Sequence, residues 1–152
     1  MAYPSLRSVA SGAVGALTLT AIHEAARRRL SYAPRMDVVG MRALRHFVPA
    51  LQHEAPRSSR LRRLALAGDL AANTLYYSAI PARDAATTWT RAALLGLAAG
   101  ASALFVPERA GLGNPPNSEV RANQAMTVAW YVAGALAAAV AANKMGYGRL
   151  PR

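Results

Sequence analysis

Charged positions are clustered along this chain. Residues 8–23, 64–68 with 70–82, 92–107 and 122–143 contain no Asp, Glu, Lys or Arg, while the segments between them are punctuated by arginine. At about 1.5 Å per residue, the last of these runs is long enough as a helix to cross a hydrocarbon core of roughly 30 Å. The third nearly is. The first spans by including Glu24, Ala25 and Ala26, and the second by placing Asp69 inside the membrane. A soluble four-helix bundle would need a charged, solvated face on each helix, and Leu94 to Val106 and Met126 to Ala142 have none. A chain this small cannot bury two all-round apolar helices completely along with two others. The pattern therefore predicts an all-α integral membrane bundle, a single domain of four transmembrane helices at about 8–27, 61–80, 88–106 and 120–143.

The breaks between these helices are marked by residues that cannot continue them. Pro81 is expected to end the second helix and Pro107 the third, and residues 111–118, with two glycines and two prolines, form a turn-rich loop. Asn117 or Ser118 is expected to cap the fourth helix, with Glu119 in its first turn. Between the first two spans, Val38, Met41, Leu44, Val48 and Leu51 recur at helical spacing, with Asp37, Arg42, Arg45, His46 and Gln52 largely off that stripe. The segment 36–52 is thus predicted to be an amphipathic interfacial helix.

Composition at first complicates this picture, because a hydrophobic fraction of 53% coexists with a net charge of +11. The conflict resolves in space. Twelve of the 18 basic residues lie in the connections after the first and third spans, Arg27 to Arg63 and Arg109 with Arg121. By the positive-inside rule those connections are cytoplasmic and both termini face outward. The first apolar run superficially resembles a signal peptide, but no small-x-small site lies between that run and the triple arginine, which reads as the flank of an uncleaved anchor. Arg27, Arg28, Arg29, Arg42, Arg45, Arg60, Arg62 and Arg63 are the expected contacts to anionic lipid headgroups. Nucleic-acid binding would interleave stacking aromatics, and only Tyr32 and Phe47 lie in this connection, so no nucleic acid is expected. The arginine bias, with Lys144 the single lysine, fits a high-GC bacterial genome and hence a bacterial inner membrane.

Polar residues inside the spans are the candidate chemistry, since an ionisable group within a membrane is costly. Asp69, Asn73 and Tyr76 or Tyr77 form one stripe on the second helix. Thr20 and Glu24 are one turn apart on the first with His23 beside them, and Asn123, Thr127 and Tyr131 repeat at four-residue intervals on the fourth, next to Gln124. The first helix ends at the face where the second and fourth begin. His23, Glu24, Asp69, Asn73, Asn123 and Thr127 consequently fall at similar depth and form one candidate binding cluster. Such a cluster suits proton transfer, cation binding or an ion pair with Arg27 or Arg121, but hydrogen bonding between helices is the favoured account of it.

No catalytic signature is complete. His23-Glu24-Ala25-Ala26-Arg27 departs from the His-Glu-x-x-His zinc pattern at its second ligand, and a guanidinium cannot bind zinc. His46 and the His53-Glu54 pair read as loop residues. With no cysteine, thiolate metal sites and cysteine nucleophiles are excluded, and neither metal nor cofactor is expected. Gly96 with Gly100 and Gly134 with Ala138 permit close helix approach, within the bundle in preference to between subunits. The leading functional expectation is a non-enzymatic accessory or scaffolding subunit with a membrane-protein partner or a second copy of itself. The alternatives are a small transporter or channel component with a proton or cation site at His23, Glu24 and Asp69, and a membrane-embedded enzyme acting on a lipid-like substrate.

Overall fold

A computed structural model of the chain describes residues 5–147. Among these residues the secondary structure is helical, with no strand. The five α-helices are α1 (Leu6–Arg29), α2 (Met36–Phe47), α3 (Ser59–Tyr77), α4 (Ala85–Arg109) and α5 (Arg121–Lys144), with a single 3-10 turn at Pro49–Leu51. Side-chain oxygens cap three of them. Ser5 accepts from the Ser8 amide, Ser58 from Leu61, and Asp84 from Thr87, so α1, α3 and α4 each begin earlier than the charge pattern predicts.

The other helix ends differ from expectation for identifiable reasons. Pro107 does not stop α4, which runs on to Arg109. Proline removes one donor near the end of the helix, and the Ala110 and Leu112 amides close the last turn onto Val106 and Pro107. Neither Asn117 nor Ser118 caps α5; the cap position is Val120, which leaves Glu119 outside the helix. Asn117 instead sits at φ +66° and donates its side-chain amide to the Ala33 carbonyl, so a tertiary contact claims the group that would have capped. The amphipathic segment divides at Pro49. Val48 turns extended, as residues before proline do, and the chain resumes as the short 3-10 turn.

The most extensive packing joins α4 to α5, α5 to α1 and α1 to α3, while α2 lies against α3. Small residues bring these helices together. A Cβ at Gly96 would lie 2.8 Å from Val132 Cα and one at Gly100 2.7 Å from Val128 Cα, so the Gly-x-x-x-Gly face of α4 is occupied by α5 inside the molecule. Gly12 and Gly15 play the same part on α1. A Cβ at Gly12 would collide with the Thr74 carbonyl, and one at Gly15 would come within 2.6 Å of the Gly134 carbonyl.

The bundle buries several polar side chains beside its hydrophobic core and exposes large apolar ones. Ser11, Asn73, Thr88, Asn123 and Thr127 are buried, while Leu75, Leu94, Phe105 and Leu97 are 63%, 62%, 59% and 51% exposed. Three helices, α1, α4 and α5, are long and apolar enough to cross a membrane, as expected of a membrane protein. The expected fourth span, α3, does not meet the same measure, because its 19 residues include Arg60, Arg62, Arg63 and Asp69.

Candidate functional site

A cavity of about 180 Å³ opens between α1, α2 and α3. His23, Glu24 and Asp69 all line it, together with Thr20, Asp37 and Arg62. The similar depth expected from the sequence thus corresponds to a shared wall for three of the six candidate residues. Asn73 stands behind them: its side-chain amide donates to the Asp69 carboxylate and to the Asp69 carbonyl, both at 3.0 Å.

Asn123 and Thr127 do not line the cavity. Asn123 Nδ2 donates to the carbonyls of Tyr32 (3.0 Å) and Asn117 (2.7 Å), while Thr127 Oγ1 donates to the Asn123 carbonyl at 2.9 Å. Equal depth did not imply equal azimuth. Asn123 fastens the loop after α1, and the loop before α5, to the beginning of α5, while the Thr127 bond stays within α5. Tyr77 also serves packing, its hydroxyl donating to the Tyr131 carbonyl at 2.9 Å, and Tyr76 reaches the Leu95 carbonyl on α4.

Within the cavity wall the charged groups are largely engaged. Arg27 binds both Glu24 oxygens, at 3.3 and 2.8 Å, and Arg62 Nη2 binds the same two at 2.8 and 2.9 Å. The guanidinium that spoils the zinc pattern is therefore a partner of the glutamate. His23 rests edge-on against Trp130 and Tyr131 of α5, with ring centroids 5.1 and 5.9 Å apart. Its Nε2 and Thr20 Oγ1 are buried without a hydrogen-bond partner among the described residues. Those two atoms are the unsatisfied chemistry of the site.

Asp37 does not stand out in the sequence as a site residue, because its place on an amphipathic segment makes it look like a solvated charge. Arg35 clasps it with two hydrogen bonds of 2.8 Å, and Arg62 Nε stands 3.9 Å away. Burial pushes its carboxyl up. The Arg35 hydrogen bonds and the charges of Arg35, Arg27 and Arg62 outweigh burial and hold it below its ordinary value. The same pairing raises Arg35.

The remaining arginines diverge in use. Arg42 donates to the carbonyls of Leu112 and Asn114, Arg45 to that of Gln52, and Arg60 stands 3.5 Å from Glu54. Arg28, Arg29 and Arg63 are exposed. Among the described residues, no three His, Asp or Glu side chains gather as a metal site would require. His46 packs against Phe47 at 4.6 Å, outside the cavity. No protein-family model, curated protein or solved structure matches the chain.

Proposed function

We propose that the chain is a four-span protein of a bacterial inner membrane that serves as a non-enzymatic accessory or scaffolding subunit. The observation that carries this reading is that Glu24, Asp69 and Asn123 find their partners inside the bundle beneath exposed apolar side chains. Glu24 is held by Arg62 of α3 and Asn123 by two loop carbonyls, so these side chains act between segments of the bundle, while Asp69 is satisfied by Asn73 within α3. The exposed positions of α3 from Leu64 to Tyr76 are Leu, Ala, Gly and Tyr, which supports placing this helix in lipid as the fourth span despite Asp69 on its covered side. With four spans, the arginine-rich end is cytoplasmic and both termini face outward.

Copurification from native membranes in mild detergent is the test. A stoichiometric membrane-protein partner, or a stable oligomer of the chain itself, is expected. Proton or cation flux catalysed by the chain alone in proteoliposomes would overturn the reading. One observation favours that second possibility: His23 and Asp69 line the same cavity, and His23 Nε2 lacks a partner among the described residues. Asp69→Asn would then abolish flux while leaving assembly intact.

A further inference from the structure

At the arginine-rich end, a second hollow of about 390 Å³ adjoins the cavity and shares Asp37 and Arg62 with it as a common wall. Five guanidiniums line it, those of Arg27, Arg35, Arg42, Arg57 and Arg62. Asp37 lines it too, and Glu24 neutralises part of Arg27 and Arg62 from behind. Five positive groups facing two carboxylates leave the hollow strongly electropositive. Arg57 has no carboxylate or carbonyl partner among the described residues, so all of its donors are available. A further depression of about 210 Å³ continues from it past Arg42 and Arg57 to Arg45, whose Nε is buried without a hydrogen-bond partner among the described residues. Buried donors of this kind are met by water, an ion or a ligand group, and a guanidinium is best matched by an anionic one.

We infer that this trough binds the phosphate of an anionic phospholipid. Guanidinium forks match phosphate oxygens bidentately, and basic hollows between membrane helices at the cytoplasmic face are suited to anionic headgroups. Two features favour a lipid as the source of the phosphate. Tyr32 and Phe47 are 55% and 62% exposed at the same end, where aromatic side chains anchor a protein at the headgroup level. The adjoining cavity is lined by Val39, Ala65 and Leu66 as well as by its charges, and lies toward the middle of the bundle from the trough, which gives the lipid's glycerol and first methylenes an apolar continuation. The inference rests on the membrane placement proposed above and is independent of the scaffolding role.

The test uses the purified full-length chain in nanodiscs of phosphatidylglycerol or phosphatidylcholine, with retained lipid measured by native mass spectrometry. Phosphatidylglycerol is expected to remain bound and phosphatidylcholine to be lost. Arg57→Gln, which breaks no internal contact, should weaken phosphatidylglycerol binding about fivefold, the effect of about one arginine near a lipid surface. Arg45→Gln should weaken it similarly, and Arg63→Gln, outside the trough, less than about twofold. Equal effects at Arg57 and Arg63 would overturn the inference by showing diffuse surface attraction. So would displacement of the lipid by inorganic phosphate, which would identify a soluble ligand. Failure to insert into either bilayer would remove the membrane reading, whereas insertion into both without lipid preference would remove this inference alone.

Discussion

Arg62 Nη2 donates to both carboxylate oxygens of Glu24, at 2.8 and 2.9 Å, across 38 residues of sequence. This bridge ties the last turns of α1 to the first turn of α3, and through Asp37 it also reaches α2. Three helices thus depend on one guanidinium. Because the Arg62 side chain is 38% exposed, solvent weakens the pairing, and a double-mutant cycle of Glu24→Gln and Arg62→Gln should give a coupling of about 1 kcal/mol. Thermal unfolding in detergent measures it, and the coupling should shrink as salt is added.

The close approach of α1 and α3 sets a steric limit at Gly12. Gly12→Val places a branched side chain where the Thr74 carbonyl already stands, and should cost about 3 kcal/mol or more or abolish accumulation of folded protein. Gly68 offers the opposite case, because a Cβ added there would meet no atom within 4 Å. Gly68→Ala should stabilise the protein by about 0.5–1 kcal/mol through helix propensity alone. Expression level and melting temperature in detergent separate the two.

Asp37 makes the basic end sensitive to acid. Its carboxyl is held below its ordinary value of 3.8, so the stability it contributes is fully present above that value and is lost as pH falls through the lower, folded one. Arg35→Gln removes the principal lowering contact while burial remains. The variant should therefore be less stable near neutral pH and lose less further stability on acidification than the parent in a pH series of thermal melts.

Asn123 is a donor to two carbonyls, and this fixes the order of its variants. Asn123→Ala deletes both hydrogen bonds and should cost about 1–2 kcal/mol. Asn123→Asp sets a carboxylate against the Tyr32 and Asn117 carbonyls and should be the more damaging of the two. Thermal melts of both variants check the order. A metal or cation site at this position would reverse it, since such a site would gain from the added charge.

The arrangement of long helices was legible in the sequence because charge-free runs of this length have few ways to fold. Each run lies on a helix except residues 78–82, which follow the end of α3 at Tyr77. The stripe from Val38 to Leu51 predicted α2, although it packs on α3 in a small core of Met41, Leu51, Leu61 and Ala65 where the membrane interface was expected. Depth was also legible, since helical rise converts residue number to distance, and it brought His23, Glu24 and Asp69 to one cavity. Azimuth was not. It is set by which small residues meet, and the contacts of Gly12 and Gly15 depend on partners 62 residues or more away in the chain. The role of Asp37 was hidden for a related reason, because its arginines come from the loop before α2 and from α3.

The ties of Asn117 and Asn123 to the loop after α1, and of Arg42 to the 112–114 loop, have an entropic consequence. They join the connections that carry most of the positive charge into one preorganised plate. A phosphate arriving there need not first freeze a wandering loop, so little of its attraction is consumed in ordering the protein. Cutting the two asparagine ties would leave the charge unchanged and still weaken binding, which separates the geometry of the arginines from their number.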